Sequence, residues 1–328
     1  MTAATAAPFW RVPAARGPGG LSVLVVYWAT PGGTKDRTWN DGFIAALREL
    51  AQRGHRISFV NAHCDDAVDA FAARHGDADV VLAKSNWGWI VDRFVRRHTT
   101  RAAPARAIMV SGISDPISYR RGRFYDTVFY QTEWYRHRLS ERLHLVHAYG
   151  INTKAMHPPA DPVEAEWDWL YVGALTANRR PDRLLDKTGR RLAVGDVSSS
   201  TPTLVDRLRE GGVVVRDYVP YDELRSLYWS AERLYVPAAL DGGGERQLME
   251  AIACGRPVEV EPDNPKLAEV VAKAASWTEA YFADQLERGL TEAVERASRS
   301  RARRLRTLEA RAWERGRQRA RSVRQELR

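Results

Sequence analysis

Short apolar runs alternate with amphipathic stretches along most of the chain. This alternation is typical of βα units that build a parallel sheet. The stretch at 40–54, which ends at Gly54, is one of the helices that the pattern predicts. In the first half of the chain the apolar runs predict strands at 21–27, 56–62, 79–85, 107–113, 126–131 and 143–149.

A proline-rich segment at 157–162 interrupts this pattern, which then starts again. Two parallel sheets joined by a hinge predict an α/β protein with two Rossmann-like domains and a substrate cleft between them. A chain of 328 residues is long enough to form two cores. The later strands are predicted at 169–175, 191–196, 213–219, 233–239 and 257–262.

The tail from about Ala302 predicts one helix with a narrow apolar stripe that includes Leu305 and Leu308. We expect this stripe to pack against the rest of the protein. The tail also carries eleven arginines, so an arm that binds nucleic acid or lipid stays open as the alternative.

The net charge of +9 is distributed unevenly. Residues 1–160 carry 21 Lys and Arg against 13 Asp and Glu, whereas residues 161–300 carry 18 against 25. The last 28 residues carry 11 against 3. If the tail packs on the first domain, that half of the molecule is basic, which favours an anionic binding partner.

The segment 239–271 carries the most specific chemical signal. A turn of small residues, Asp241-Gly242-Gly243-Gly244, follows a predicted strand and precedes a predicted helix. Glycines let backbone N–H groups approach an anion, and a helix N-terminus adds about half a positive charge. The pattern predicts a pocket for a nucleoside diphosphate.

The run LMEAIACGRPV at 248–258 resembles the LLEAMACGTPVV segment of glycosyltransferase family 4, a retaining family with the GT-B fold. Four further segments, at 27–60, 147–159, 169–185 and 217–237, resemble that family in the same order. Residues 1–20 are rich in Ala, Pro and Gly and predict a leader. The resemblance implies an acceptor-side domain at 21–160, a donor domain at 161–300 and a basic helix at 301–328 that packs on the first domain. We expect the leader to be disordered.

The resemblance also implies roles for donor-site residues. Glu250 matches the glutamate that holds the ribose, and Arg179 and Arg180 would neutralise the diphosphate because Ala174 replaces the family's arginine. The amides of Gly243 and Gly244 would hold the sugar.

One residue of the family's donor motif is missing. Gly242 stands where the family has its first glutamate, so Asp241 or Glu245 is the candidate substitute at the sugar hydroxyls. Arg246 is a further candidate for the diphosphate.

The first half contains two donor-binding candidates, Gly32 and Gly33, and all of the acceptor-side candidates. Gly32 and Gly33 follow the first strand and would meet the sugar or a phosphate, and Trp28 and the pair Arg120 and Arg121 could contact the acceptor. Ser114 or Asp115 replaces a histidine that the family often has. A retaining enzyme needs no separate base, whereas an inverting one would use Asp115.

We predict no metal and no cofactor, and a UDP- or GDP-linked sugar as co-substrate. The acceptor is expected to be a glycan or lipid at an anionic surface, with a modified DNA base and a non-catalytic sugar-nucleotide-binding protein as alternatives. We expect no stable protein partner. Two cysteines, of which Cys254 is expected to be buried, fit a cytoplasmic location, with attachment at the inner membrane face left open.

Overall fold

The computed structural model describes residues 16–29, 41–84, 89–99, 104–110, 117–198 and 200–326. Gly32, Gly33, Ser114 and Asp115 lie outside these residues, as does most of the expected leader at 1–20.

The first half of the chain alternates strands and helices. Its described strands form one parallel sheet of six, in the order β2-β1-β3-β4-β5-β6. The elements are β1 Ser22–Tyr27, α1 Gly42–Gln52, β2 Arg56–Asn61, α2 Ala67–His75, β3 Val80–Lys84, α3 Ile90–His98, β4 Ala105–Met109, α4 Tyr119–Gly122, β5 Thr127–Tyr130, α5 Glu133–Arg136 and β6 Leu145–His147.

The second half repeats this architecture. Within the described part of this half, five parallel strands form a second sheet in the order β11-β10-β7-β8-β9. The elements are β7 Trp167–Val172, β8 Arg191–Val194, α6 Pro202–Glu210, β9 Val214–Arg216, α7 Tyr221–Trp229, β10 Ala231–Val236, α8 Glu245–Ala253, β11 Val258–Val260, α9 Pro265–Lys273 and α10 Glu279–Glu326.

All eleven predicted strands are present, with shifted ends. The prediction for β10 ran to residue 239, but the strand ends at Val236. Pro237 follows, and a proline has no N–H to donate to the sheet. Helix α1 lies where it was predicted, and the Asp41 side chain caps it by accepting a hydrogen bond from the Ile44 N–H at 3.0 Å.

Both faces of the two sheets are covered, which explains why the strands are almost continuously apolar. In β1, Val23, Leu24, Val25 and Val26 are at most 1 % exposed. Cys254 is buried as expected, in the core between the second sheet and helices α7 and α8.

Helix α10 begins in the second half and packs on the first. Phe282, Leu286 and Leu290 lie in the core of the first sheet together with α1. Gly289 lets the helix approach β5 closely, because a Cβ at this position would collide with the Phe129 ring. The predicted return of a C-terminal helix to the first domain is therefore confirmed.

The prediction of which residues make this return was wrong. Leu305 is 60 % exposed and Leu308 57 %, so these two leucines of the apolar stripe do not pack against the first sheet. The packed part of α10 instead lies between residues 282 and 297, before the predicted start of the tail helix near Ala302. The physical reason is length: α10 has 48 residues and continues past the sheet that buries its first part.

Candidate active site

A cleft of about 280 Å³ lies between the two halves. On the first half it is lined by Tyr27 at the end of β1, Lys84 at the end of β3 and Gln131 after β5. The carboxyl ends of parallel strands are where open α/β sheets bind ligands. The second half contributes the N-terminus of α8, and Phe282 of α10 adds to the wall.

The start of α8 is open towards the cleft. Its N-cap is Gly244, and no side chain caps the helix. Gly243 has φ 73° and Gly244 φ 113°, a backbone that side-chain-bearing residues rarely adopt. A Cβ on Gly244 would lie 2.6 Å from Val236 Cγ1, so glycine also allows the turn to pack against β10.

Arg179 lies against this turn. A Cβ built on Gly243 would be 2.8 Å from the guanidinium Nη2 of Arg179. Arg179 lines the cleft, so its charge and the α8 N-terminus face the same space. The sequence predicted both features, and the structure brings them together.

Arg180 is placed differently from its neighbour. It adopts a left-handed backbone, φ 50° and ψ 42°, and its Nη1 donates a hydrogen bond to Asp263 Oδ2 at 3.0 Å. It is not among the described residues that line the cleft. The expected pairing of Arg179 and Arg180 on one diphosphate therefore does not occur in this arrangement, because the backbone turns the second side chain towards Asp263.

Arg246 connects the two halves across the cleft. Its Nε lies 3.5 Å from Glu250 Oε1, and its Nη1 lies 4.0 Å from Asp41 Oδ2 of the first half. Burial alone would lower the pKa of Arg246, but the carboxylates of Glu250 and Asp41 raise it above its usual value. The guanidinium, which is 36 % exposed, therefore stays charged in the cleft.

Glu250 lies behind Arg246 and is 1 % exposed. Its Oε2 accepts a hydrogen bond from the Tyr228 hydroxyl at 2.7 Å, whereas no described residue hydrogen-bonds its Oε1. Burial raises the pKa of this carboxyl, although Arg246 and Tyr228 act in the opposite direction. Because Glu250 is buried, it does not lie on a solvent-exposed face of α8.

A second unpaired polar atom belongs to the same region. The Tyr221 hydroxyl is buried and makes no hydrogen bond of standard geometry within the described part of the chain, although it lies near enough to the Glu250 carboxyl to lower its pKa. Burial and then the negative charge of Glu250 raise the pKa of Tyr221. Unpaired buried polar atoms are rare in folded proteins, and an absent ligand is one explanation for them.

Glu245 lines the cleft at the first position of α8 and is 6 % exposed. Its Oε1 lies 2.8 Å from Lys266 Nζ and accepts a hydrogen bond from the Tyr135 hydroxyl at 3.1 Å. Burial would raise the pKa of this carboxyl, but the charge of Lys266 lowers it below its usual value. Glu245 thus stays ionised and links the second half to Tyr135 of the first.

The missing first glutamate has a steric explanation. A side chain at Gly242 would collide with the Asn178 carbonyl oxygen, and its Cβ would also lie 3.0 Å from Ala238 Cβ. Of the two proposed substitutes, Asp241 is exposed and not among the described cleft-lining residues, whereas Glu245 lines the cleft.

The acceptor-side candidates divide in the same way. Trp28 lines the cleft and meets His63 edge-on, with ring centroids 5.2 Å apart. Arg120 and Arg121 lie on α4 and are not among the described residues lining the cleft. The Nε of Arg121 lies 3.3 Å from Asp92 Oδ2.

The sequence did not single out several residues that face the cleft. Among these, Asp41 carried a usable signal, since an aspartate at the start of a predicted helix is a common capping residue. Lys84 and Gln131 end or follow strands whose carboxyl ends meet at this edge. Further polar examples are Tyr149 and Gln247.

The described residues offer neither a metal-binding cluster nor a membrane-spanning helix. They contain no group of three or more His, Cys, Asp or Glu side chains able to hold a metal ion. They also contain no helix long and apolar enough to cross a membrane.

A scan of the sequence against protein-family models finds no match, and a search of curated proteins also finds none. The structure is similar to that of AviGT4, a glycosyltransferase involved in avilamycin A biosynthesis, with a TM-score of 0.60 and 15 % identity over 84 % of this chain and 98 % of that one. A glycosyltransferase from Rickettsia africae ESF-5 gives a TM-score of 0.55 and 13 % identity over 87 % and 98 % of the two chains.

Anabaena HepE, solved in complex with UDP and glucose, gives a TM-score of 0.53 and 12 % identity over 88 % of this chain and all of that one (100 %). At these identities the similarity concerns the fold. The chain has the GT-B fold, as the sequence resemblance implied.

Proposed function

We propose that this protein is a glycosyltransferase that moves a sugar from a nucleoside-diphosphate donor to an acceptor hydroxyl. The observation that carries the proposal is the uncapped Gly243-Gly244 start of α8, with the Arg179 guanidinium packed against it in the cleft. A helix N-terminus and an arginine together suit a diphosphate, because N–H groups and a guanidinium both bind phosphate oxygens.

Further residues of the donor half complete the proposed pocket. Arg246 would be the second cation on the diphosphate, since it is charged and faces the cleft. Glu250 Oε1, which lies 3.5 Å from Arg246 Nε but accepts no hydrogen bond from a described residue, would meet the ribose hydroxyls together with the buried Tyr221 hydroxyl. Glu245, ionised at the cleft wall, would position the donor sugar together with the Gly243 and Gly244 amides.

Retention of the anomeric configuration is our proposal for the stereochemistry, and it rests on the sequence resemblance. The bond from the sugar C1 to the diphosphate oxygen breaks while the acceptor oxygen bonds to C1 on the same face. The acceptor proton passes to the departing phosphate, so no protein base is required. An inverting reaction would use Asp115 as the base.

For the donor we propose a UDP- or GDP-linked sugar, bound without a metal ion. The acceptor would be anionic or would lie on an anionic surface, as a glycan or a lipid-linked group. Its support is the excess of Lys and Arg over Asp and Glu in residues 1–160, 21 against 13. Trp28 and Lys84 on the first half's side of the cleft would contact the acceptor.

The test is a thermal-shift screen against UDP-, GDP-, ADP- and dTDP-linked sugars. One nucleotide should raise the melting temperature, with about 2.7 kcal/mol of stabilisation at a hundredfold excess over Kd. Arg179→Ala and Glu250→Ala should reduce this shift to about half or less. The control Arg183→Ala, in which the lost arginine is 55 % exposed and pairs with Asp186, should keep it.

A melting-temperature shift of unchanged size in Arg179→Ala would contradict the proposed pocket. A donor that binds but is neither hydrolysed nor transferred would favour the non-catalytic alternative.

A further inference from the structure

A second cavity, of about 410 Å³, lies far from the cleft on the first half. Asp126, which precedes β5, lines this cavity, whereas Gln131, which follows β5, lines the cleft. The two cavities thus open at opposite ends of one strand. We call the second cavity the basic groove, because its lining includes Arg123, Arg142, Arg296 and Arg299.

The positive charge of the basic groove is not cancelled by its one acidic lining residue. The Asp126 carboxylate accepts a hydrogen bond from the Arg106 N–H at 2.9 Å and lies 3.8 Å from the Arg106 Nε. Arg106 therefore already balances it. His144, also in the lining, is occupied by Glu292 at 2.7 Å. Arg299 lies 3.7 Å from Glu295 on the same helix, which offsets part of its charge. The four lining arginines still give this surface an excess of positive charge.

The basic groove continues along the exposed part of α10. Arg296 and Arg299 belong to the lining, and Arg303 and Arg306 follow on the same helix face because residues three and four apart are neighbours. We call these four residues the arginine stripe. It is about 15 Å long, at a rise of 1.5 Å per residue. Arg299 is 72 % exposed, so the row is open to large ligands.

The chemistry of this surface suits phosphates better than lipid chains. A guanidinium binds phosphate oxygens through two parallel hydrogen bonds. Tyr119, which is 40 % exposed with Arg142 5.6 Å above its ring, adds an aromatic face of the kind on which bases stack.

A membrane-lying helix would need a continuous apolar face, which this part of α10 lacks. Leu305 and Leu308 are exposed, but this apolar patch is short on its N-terminal side, because Arg301 occupies the same helix face one turn before Leu305. The helix presents guanidinium groups on the stripe and near the two leucines alike. These features favour a soluble polyanion over a lipid surface.

We propose that the basic groove and the arginine stripe bind the phosphate backbone of a nucleic acid. A DNA duplex offers one negative charge for about every 1.7 Å of its axis, a linear array that matches a straight row of arginines. Since the surface lies at the opposite end of β5 from the cleft, this binding does not depend on the proposed transfer reaction.

The experiment is fluorescence anisotropy with a labelled, unmodified duplex of about 20 base pairs, at salt concentrations from about 50 to 200 mM. The full-length protein should bind the duplex, with affinity falling steeply as salt rises. The triple variant Arg299→Gln, Arg303→Gln, Arg306→Gln should bind at least about tenfold more weakly, with a salt slope shallower by about 2.7.

The matched control removes three exposed arginines from the other half of the molecule: Arg183→Gln, Arg207→Gln and Arg209→Gln. Its affinity for the duplex should stay within about twofold of the unmodified protein. Donor binding in the cleft should be the same in both triple variants, which separates this proposal from the proposed function.

Absence of duplex binding at the lowest salt would overturn the proposal, as would equal weakening in both triple variants. Sedimentation with phosphatidylserine vesicles tests whether the same surface binds an anionic membrane instead. Vesicle binding that depends on the arginine stripe, without duplex binding, would assign the surface to membranes instead.

Discussion

At the residue scale, two glutamates of α8 have opposite electrostatics although they lie five positions apart. Glu245 is paired with Lys266, which lowers its pKa, whereas burial raises the pKa of Glu250 despite Arg246. A carboxyl whose charged form is disfavoured in the folded state costs stability at neutral pH. Such a cost is typical of binding sites, where a ligand is expected to supply the missing partner.

The two glutamates should therefore give opposite pH effects on the free energy of unfolding. Because the folded pKa of Glu250 is raised, the folded state holds the extra proton, and stability is lost as the pH rises above about 4.5. Glu250→Gln should remove this loss, so its stability relative to the unmodified protein should rise between about pH 4.5 and 7.

Glu245→Gln should do the reverse. With the folded pKa lowered, Glu245 stabilises the protein above the unfolded pKa and loses this effect as the pH falls through the folded pKa. The variant leaves buried Lys266 without its carboxylate and should be destabilised by about 3–5 kcal/mol at pH 7, and by less in acid. Urea unfolding at a series of pH values measures the free energy of unfolding of both variants. Parallel pH profiles for the two variants would show that the assigned environments are wrong.

The sequence could not predict which individual side chains face the cleft. Arg179 and Arg180 are chemically identical, and only the left-handed backbone of Arg180 decides which of them faces the cleft. Asp41 approaches Arg246 from the other half of the molecule, a contact between residues about 200 positions apart that no local pattern encodes. Glu250 was predictable, because a lone carboxylate within an apolar helix requires a partner.

At the element scale, α10 attaches the end of the chain to the first sheet through its first half. Gly289 is the point of closest approach, and replacing it tests that packing. Alanine would gain about 1 kcal/mol of helix propensity, yet its Cβ would collide with the Phe129 ring. We expect Gly289→Ala to destabilise the protein by about 1–3 kcal/mol in denaturant unfolding.

Gly76→Ala is the control for this substitution. Gly76 ends α2 in a right-handed helical conformation, and nothing lies within 4 Å of a Cβ built there. Alanine at this site should be neutral or slightly stabilising. A neutral Gly289→Ala would mean that α10 does not pack on β5 as described.

A second pair of variants separates the packed and exposed parts of α10. Leu290 is 1 % exposed, so Leu290→Ala should cost about 2–5 kcal/mol of stability. Leu308 is 57 % exposed, so Leu308→Ala should change stability by less than about 0.5 kcal/mol. Thermal unfolding of both variants measures the difference. A large loss of stability in Leu308→Ala would show that the apolar stripe does pack against the protein, as the sequence suggested.

The apolar stripe misled because helical spacing shows which residues share a face, not whether a partner covers that face. The more strongly buried residues 282–297 belong to the same helix, but their pattern was assigned to the donor domain. Strand positions were predicted better, because a parallel sheet buried on both faces requires continuous apolar runs. Some strand ends shifted by a few residues because the next residue stopped the pairing, as Pro237 does after β10 and Gly173 does after β7.

At the scale of the whole molecule, two sheets face one cleft and α10 returns across the boundary. The connecting segments run side by side, since the Ile151 N–H donates a hydrogen bond to the Trp277 carbonyl at 2.9 Å. Arg179 and Arg246, the cations proposed for the diphosphate, belong to the second half, and Asp41 and Tyr135 of the first half contact Arg246 and Glu245. The basic groove lies at the other end of the first sheet.

The central claim is that Arg179 and the start of α8 form the diphosphate site. Calorimetric titration of the intact protein with the nucleotide sugar that stabilises it tests this claim directly. Loss of a charged hydrogen bond costs about 1.5–3 kcal/mol, so Arg179→Ala should weaken binding by about 10- to 150-fold. Arg180→Ala, which removes a group bound to Asp263, should weaken it much less. Equal affinities for Arg179→Ala and the unmodified protein, or a larger loss in Arg180→Ala, would contradict the account.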